Sequence, residues 1–200
     1  MVQNPIRLRL MEPDRKTLIA DAAMAILGTQ GARALTHRAV DAQAGLPAGS
    51  TSFYCRTRLE LLKLTLARHV ALDLADLAAD AAASPSHDTP LALADLLALL
   101  QHRLRDWLTP PKRVRLVARF ELFLVASREP ELSAILGPMR DQFLAATEAA
   151  LARCGLRDTG SRARLLLAVV DGHLLDCVRS GSDAPLSEGQ MALLLHALRE

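Results

Sequence analysis

Three pairs of side chains have the i, i+4 spacing that places both members on the same face of a helix. They are His69 with Asp73, His102 with Asp106, and His173 with Cys177. Each pair combines two residue types that bind metal ions, but a protein metal site needs at least three such ligands. Pairs at this spacing are also common on the solvent-exposed faces of helices. The sequence therefore predicts no metal site and no cofactor.

Sequence motifs typical of enzyme active sites do not occur. Gly45 and Gly49 lie in a predicted helical hairpin, not in the strand-to-helix turn that binds nucleotide phosphates. There is also no G-x-S-x-G turn that would present a serine nucleophile. Cys55, Cys154 and Cys177 follow neither a disulfide pattern nor a zinc-ligand pattern, which favours a reducing cytoplasm. We therefore expect a cytoplasmic binding protein that is not an enzyme.

The composition is that of a folded helical protein. Hydrophobic residues make up 50% of the chain, charged residues 23% and aromatic residues only 3%. Leu, Ala and Arg dominate, and these residues lose little conformational freedom in a helix. The most apolar run, 91–100, contains Asp95 and is about half as long as a membrane span. No segment alternates with a period of two, so the sequence predicts an all-α fold without a membrane segment.

Charge is distributed unevenly along the chain. Residues 1–70 carry a net charge of +5, whereas residues 71–200 carry −3. A basic N-terminal part on a mildly acidic body is consistent with a nucleic-acid contact that is confined to the N-terminal part.

Helix caps and Pro or Gly breaks divide the chain into about nine predicted helices. Thr57 to Glu60 and Ser187 to Gln190 have the spacing of capping boxes. The predicted helices cover about residues 14–30, 36–45, 47–54, 57–83, 89–109, 112–127, 129–155, 160–180 and 187–200.

The second and third helices have the dimensions of a helix-turn-helix around Gly45. Five apolar residues are expected to pack this pair against the first helix: Leu35, Ala39, Val40, Ala44 and Leu46. Seven others are then expected on the exposed side: Thr36, His37 and Arg38 on the second helix, and Ala48, Gly49, Ser50 and Ser52 on the third. A generic helical hairpin with no DNA contact would have the same spacing.

The segment LTHRAVDAQAGLPAGSTSFY at 35–54, followed by TRLELL at 57–62, resembles the signature of the tetracycline-repressor (TetR) family. The resemblance covers about residues 14–66 and continues in ARFELFL at 118–124 and REPEL at 128–132. It implies an N-terminal three-helix domain with the helix-turn-helix, followed by a C-terminal helical bundle. The expected boundaries are 1–56 for the DNA-binding domain and 57–200 for ligand binding and dimerisation.

The resemblance also implies roles for individual residues. Thr36 would cap the second helix and meet a phosphate, and Arg38 would read a base. Ala48, Gly49 and Ser52 correspond to base-facing positions. Phosphate contacts are implied for Ser50, Tyr54 and Arg58, and Arg7 with Arg9 would form either a DNA-contacting arm or a solvated tail.

Three residues depart from the common pattern of the family. Cys55 replaces an aromatic residue and is expected to be a buried packing residue. Arg58 replaces a lysine and keeps its charge. Ser52 replaces a tyrosine, which predicts weaker reading of the base at that position.

Apolar residues surround most of the eighth and ninth helices, so both helices need cover on more than one side. The resemblance implies that these two helices form a four-helix homodimer interface with a second copy. A monomeric bundle with a thicker core is the alternative.

The resemblance places a cavity for a small-molecule effector among the fourth to eighth helices. Its predicted lining residues are Leu100, Leu104, Trp107, Arg119, Phe120, Phe123, Met139, Phe143, Asp171 and His173. The apolar members can equally be ordinary core residues. Arg119, Asp171 and His173 are polar side chains in apolar helices, where burial requires a partner.

Together these features predict a homodimeric transcriptional repressor that binds a palindromic double-stranded DNA operator and is released by a small-molecule effector. The alternative is a protein of the same fold that binds ligands or partners without specific DNA binding.

Overall fold

The computed structural model describes residues 14–83 and 90–200, and within these ranges it contains nine α-helices and no strand. A short 3₁₀ turn, Ala32–Ala34, lies between the first two helices. The helices are α1 Arg15–Gln30, α2 His37–Gln43, α3 Ser50–Tyr54, α4 Arg58–Ala83, α5 Leu93–Leu108, α6 Lys112–Ala126, α7 Pro130–Arg153, α8 Thr159–Ser180 and α9 Glu188–Arg199. The predicted all-α fold is confirmed, and the arm residues Arg7 and Arg9 lie outside the described residues.

Local capping bonds set several helix starts where the sequence predicts them. The Thr36 hydroxyl accepts a hydrogen bond from the Ala39 N–H at 3.1 Å and caps α2. At α4, the Glu60 N–H donates to the Thr57 hydroxyl and the Glu60 carboxylate accepts from the Thr57 N–H. Ser187 and Gln190 form the same reciprocal pair at α9. Each cap satisfies backbone N–H groups that the first helical turn leaves unpaired.

The third helix is shorter than predicted. It begins at Ser50 instead of at Pro47, because Gly49 has a left-handed φ of 91° that interrupts helical geometry. A Cβ at Gly49 would meet nothing within 4 Å, so glycine is favoured there by backbone conformation and not by space. Ala48 and Gly49 therefore belong to the turn and not to the helix.

The start of α5 also differs from the prediction. Helix α5 begins at Leu93, whereas the sequence predicted a start at Thr89 and Pro90; Thr89 lies outside the described residues. The Leu91 N–H donates to the Arg153 carbonyl at 3.2 Å, which holds this segment against the end of α7. A bond to a distant carbonyl leaves no sequence signal near residue 91.

Two apolar cores share helices α6 and α7. The first core joins α1 and α2 to the beginnings of α4 and α7, and the second joins α5, α8 and α9 to the end of α7. Helix α6 contributes Ala118, Leu122 and Ala126 to the first core, and Leu116 to the second. The N-terminal helices therefore pack against α6 as well as α4, and their core extends beyond residue 56.

Candidate functional site

The two short helices α2 and α3 are joined through the buried carboxylate of Asp41. One carboxylate oxygen accepts the Gly49 N–H at 2.8 Å, and the other accepts the Thr51 N–H and hydroxyl at 2.7 and 2.6 Å. Burial by itself raises the pKa of Asp41, but the hydrogen bonds from Thr51 and Gly49 outweigh it and hold the pKa below its ordinary value. The ionised carboxylate thus fixes α3 against α2.

Asp41 does not figure among the sequence-predicted functional residues. Its partners lie eight and ten residues away, across the turn, so no local pattern marks it. The one signal that the sequence offers is that Asp41 directly follows the apolar residues Ala39 and Val40 within a short helix.

The packing predicted for the helix-turn-helix is confirmed. Leu35 and Val40 are fully buried, and Ala39, Ala44 and Leu46 pack against the same core. On the other side, most of the residues expected at DNA are exposed: Thr36, Arg38, Ala48, Gly49, Ser52, Tyr54 and Arg58. We call α1 to α3 the head. The exposed residues just named, which lie on the head and at the start of α4, form its outer face, together with Phe53 described below.

His37 and Ser50 are only partly exposed, which corrects the expectation that both lie free at the surface. A ring nitrogen of His37 lies 2.7 Å from the Cys55 carbonyl oxygen, and the Ser50 hydroxyl donates to the Pro47 carbonyl at 2.6 Å. Each side chain satisfies a backbone carbonyl of the head and is thereby turned toward the protein. Cys55 itself is buried at 3% exposure, as expected for a packing residue.

Arg58 connects α4 to the head. Its guanidinium donates to the carbonyl oxygens of Leu35 and Ala32, the latter at 2.6 Å. A guanidinium has five N–H donors, so these two bonds leave others for a phosphate. The phosphate role of Arg58 stays a prediction, while its bonds to the segment before α2 are an added structural role.

Phe53 is the outer-face residue that the sequence reasoning missed. Its side chain is 79% exposed, and its ring meets the Tyr54 ring edge-on at 5.1 Å between centroids. Phe53 therefore lies exposed among the residues that the sequence predicts to face DNA. A sequence signal was present, since Phe53 is one of only four phenylalanines in the chain.

The remaining helices, α4 to α9, are called the body. In the body, a small cavity lies between α4, α5 and α6. It offers about 10 Å³, which is room for roughly one water molecule. We call it the α4–α6 cavity, and its lining residues are His69, Asp73, Trp107, Lys112, Arg115, Leu116 and Arg119. Only Trp107 and Arg119 belong to the predicted ligand residues.

Arg119 is the best-connected of the predicted polar residues. Its guanidinium carbon lies 5.6 Å from the Trp107 ring centroid and 5.1 Å from that of Phe123. Its terminal nitrogen donates to the Asp171 carboxylate at 2.9 Å. Two aromatic faces and a carboxylate thus hold a side chain that is only 11% exposed.

His69 and Asp73 form the α4 side of the cavity. They are 1% and 2% exposed, and the His69 Nε2 lies 3.1 Å from the Asp73 carboxylate. Burial acts to raise the pKa of Asp73, but His69, Arg119 and Arg115 outweigh it, so the pKa lies below its ordinary value. The sequence marked this pair by its spacing, although as a possible metal pair.

A charge network around Asp76 borders the cavity, because Lys112 and Arg115 both line the cavity and bind Asp76. Lys112 donates to Asp76 at 3.0 Å and to Asp106 at 2.5 Å, and Arg115 also binds Asp76. Burial acts to raise the pKa of Asp76, but Lys112 and Arg115 lower it below its ordinary value. Trp107 lies at the edge of this network, with its indole nitrogen 3.5 Å from Asp76.

The other predicted ligand residues do not line the α4–α6 cavity. Phe123 contacts both Arg119 and the His69 ring, which lies 6.4 Å away between centroids. His173 lies apart from Asp171, with a ring nitrogen 3.1 Å from the Ala184 carbonyl. The remaining apolar members belong to or pack against the second core, or are simply buried: Leu100, Leu104, Phe120, Met139 and Phe143.

Metal-ligand side chains do not gather in groups of three anywhere in the described ranges. Of the three pairs in the sequence, Asp106 is bound by Lys112 and Arg103, and Cys177 lies 3.5 Å from His173. Burial raises the pKa of the Cys177 thiol, which disfavours the thiolate that a metal would need.

A larger groove of about 450 Å³ runs between α8 and α9. Leu165 and Leu193 line it and are 46% and 71% exposed, and Leu175 of α8 is 49% exposed. The expectation that these two helices leave apolar surface uncovered is met. None of the described helices combines the length and apolar character needed to cross a membrane.

Comparison with known proteins gives a consistent result. Residues 88–200 match the family described as tetracyclin repressor-like, C-terminal domain. No curated protein matches the chain by sequence. Among solved structures, a TetR-family member from Streptomyces coelicolor A3 is 30% identical, with a TM-score of 0.68, and the match covers 94% of this chain and 99% of that one.

Two further structures extend this comparison. The multidrug binding protein EbrR complexed with ethidium is 30% identical with a TM-score of 0.66, over 94% of this chain and 99% of that one. A TetR-family transcriptional regulator from Rhodococcus sp. is 20% identical with a TM-score of 0.68, over 93% and 99%, and shares the fold. The family match over the body and the full-length relatives at 30% identity establish that this chain belongs to the TetR family of transcriptional regulators.

Proposed function

We propose that this protein is a homodimeric repressor that binds a palindromic DNA operator through residues 1–56 and releases it when residues 57–200 bind a small molecule. The observation that carries the proposal is the outer face of the head. Arg38 and Phe53 are exposed there, and the Asp41 carboxylate fixes the two helices that carry them. A rigid exposed helix pair of this size fits the DNA major groove.

Small residues complete the outer face. Ala48, Gly49 and Ser52 leave the backbone around α3 accessible, which allows close approach to a groove. Base readout would then depend on Arg38, whose guanidinium can bridge two acceptors of guanine. Thr36, Tyr54 and Arg58 are assigned to phosphates, and such contacts give salt-dependent affinity without sequence preference. His37 and Ser50 are assigned structural roles, because each of them contacts a backbone carbonyl of the head.

Dimerisation is proposed through α8 and α9. Leu165, Leu175 and Leu193 expose apolar surface on these helices, and the groove between them can receive the same helices of a second copy. A twofold axis there makes the interface self-complementary and presents two heads. Two heads related in this way read a palindrome with half-sites about 34 Å apart.

The effector is proposed to bind in the body at the α4–α6 cavity. A relative at 30% identity is a multidrug binding protein that was solved in complex with ethidium, an aromatic cation. In this chain, Trp107 and Phe123 place aromatic surface beside Arg119. Those contacts support an effector with an aromatic part.

Helix α4 offers the path from the cavity to the head. His69 at the cavity lies eleven residues after Arg58, which is about 16 Å along a helix. Arg58 binds the carbonyls of Ala32 and Leu35 just before α2. An effector that moves α4 would therefore shift both heads and favour a spacing that no longer fits the operator.

The first test is a gel-shift assay with the purified protein and the intergenic DNA upstream of its own gene. Saturable binding that survives unrelated competitor DNA and weakens steeply with salt is expected. Binding no tighter than to the competitor would contradict specific recognition at that site. It would favour a ligand-binding protein of the same fold that does not read DNA, or an operator elsewhere.

A further inference from the structure

The α4–α6 cavity contains most of the buried polar atoms that lack a hydrogen bond. Across the described residues, five buried side-chain nitrogen or oxygen atoms make no hydrogen bond, and four of them belong to this cavity. They are Nδ1 and Nε2 of His69, Oδ2 of Asp73 and Nε of Arg119. The His69 Nε2 and the Asp73 Oδ2 lie 3.1 Å apart and face each other, so Nδ1 and the Arg119 Nε are the atoms without any polar neighbour. Buried polar groups are normally hydrogen-bonded, so such a cluster points to a ligand.

The Arg119 Nε restricts what that ligand can be. A guanidinium N–H only donates, so an acceptor atom must satisfy it. Asp171 binds the terminal nitrogen Nη2 but leaves Nε free. A carboxylate that approached side-on would bond Nε and Nη2 together, which is the strongest geometry for this pair of groups.

The charge of the cavity wall favours the same class of ligand. Arg119, Arg115 and Lys112 line the cavity, whereas Asp73 is the one carboxylate among the lining residues. The carboxylates of Asp76, Asp106 and Asp171 neutralise these cations from outside the lining. Because these pairs already neutralise the cations, a carboxylate ligand would bind by taking the place of Asp171 on Arg119, an exchange that an organic cation cannot make.

Asp171 is a partner that a ligand can replace. Its side chain is 49% exposed, and an ion pair with a half-exposed carboxylate contributes little to stability. The cavity itself holds about one water molecule, so a larger ligand must displace Asp171 and part of the Arg119 or Trp107 packing. Exchange of one carboxylate for another on Arg119 keeps that cation neutralised throughout.

We propose that the effector is an aromatic carboxylic acid whose carboxylate binds Arg119 side-on and whose ring packs against Trp107 and Phe123. This inference rests on the proposed function of the body as an effector sensor. His69 of α4 lines the same cavity, and its Nδ1 has no hydrogen-bond partner. The acid therefore bridges α6 and α4, and α4 is the helix that continues to Arg58 at the head.

Trp107 makes the test direct, because it is the only tryptophan of the chain and it lines the cavity. Its fluorescence is titrated with benzoate, benzamide and benzylammonium, which share a ring and differ in charge. Benzoate is expected to bind at least roughly ten-fold more tightly than the other two. Tighter binding of benzylammonium or benzamide, or no response to benzoate, would overturn the proposal.

Two variants locate the site. Arg119→Gln removes the charge, and Arg119→Lys keeps the charge but loses the side-on pair, so both are expected to weaken benzoate binding by roughly ten-fold or more. Arg128→Gln, an exposed arginine after α6, is the matched control and should bind as the parent does. Unchanged benzoate affinity in a folded Arg119→Lys protein would contradict the assignment to Arg119.

Gel shifts on the same preparations separate this inference from the proposed function. Specific DNA binding without a preference for benzoate would overturn the effector class alone. If the parent protein shows no specific DNA binding, the repressor function is contradicted, whatever the fluorescence titration shows.

Discussion

Gly28 of α1 lies directly against the backbone of Val114 in α6. A Cβ added at Gly28 would stand 2.1 Å from the Val114 carbonyl oxygen and 2.7 Å from its Cγ1. Helix α1 belongs to the head, and α6 carries Arg115 and Arg119 of the cavity. The head therefore has two connections to the body: α4 along the chain, and α1 through this close contact with α6.

Gly28→Ala is expected to destabilise the protein by about 1–3 kcal/mol, because the new methyl group forces two backbones apart. Alanine would otherwise stabilise a helix interior by about 1 kcal/mol relative to glycine, so packing reverses the sign. Urea unfolding followed by circular dichroism measures the change. Gly189→Ala is the control, since Gly189 is exposed in α9 and an added Cβ there would meet nothing within 4 Å, so it should not lose stability.

Asp41→Asn is expected to lower stability by about 1–3 kcal/mol, because the amide cannot accept all three hydrogen bonds from Gly49 and Thr51. The pKa of Asp41 is lowered in the folded state. Its contribution is therefore present above about pH 4, where the unfolded aspartate is ionised, and is lost as the pH falls through the folded pKa.

The measurement for Asp41 is the free energy of unfolding between pH 7 and pH 3 for the parent and the variant. The difference between the two proteins should shrink as the pH falls below about 4. Asp141→Asn, at an exposed position of α7, controls for the loss of one negative charge. A difference that stays constant with pH would contradict the role of the ionised carboxylate.

Arg38→Ala is expected to weaken operator binding by roughly ten-fold to one hundred-fold, since a guanidinium that reads a base contributes specificity. Arg38 is exposed, so folding and dimerisation should be unchanged. Fluorescence anisotropy with the DNA fragment from the gel shift gives the affinity, and size-exclusion chromatography gives the oligomeric state. Retained affinity would remove Arg38 from the DNA contact.

Phe53→Ala is expected to weaken DNA binding by roughly ten-fold, because apolar side chains at this kind of position contact thymine methyl groups. At 79% exposure, its loss should leave the unfolding midpoint nearly unchanged. The same anisotropy titration applies. Leu124→Ala, which removes a 62% exposed apolar side chain from α6, is the control and should bind DNA as the parent does.

Leu193→Glu is expected to disrupt the dimer, because it places a charge on the most exposed apolar residue beside the α8–α9 groove. The dimer dissociation constant should rise by roughly 30-fold or more. Sedimentation velocity measures it. Leu124→Glu has a similar exposure on a different helix and should stay dimeric; equal dissociation of both variants would argue against α8 and α9 as the interface.

Much of the architecture follows from the sequence alone, because helix starts depend on neighbouring residues. Thr36, Thr57 and Ser187 cap their helices through bonds that span only three residues. The apolar spacing of Leu35 and Val40 likewise determines which side of the helix-turn-helix is buried. The exposed position of Arg38 follows from the same periodicity.

Other features are decided by the tertiary structure, because they join residues that are far apart in the chain. Asp41 fixes α3 against α2 through bonds across the turn, and Gly28 meets Val114 eighty-six residues later. Arg119 reaches Asp171 over fifty-two residues, and His69 joins the cavity from another helix. Periodicity identifies the buried side of each helix, but the neighbour that a side chain meets there depends on how the helices pack.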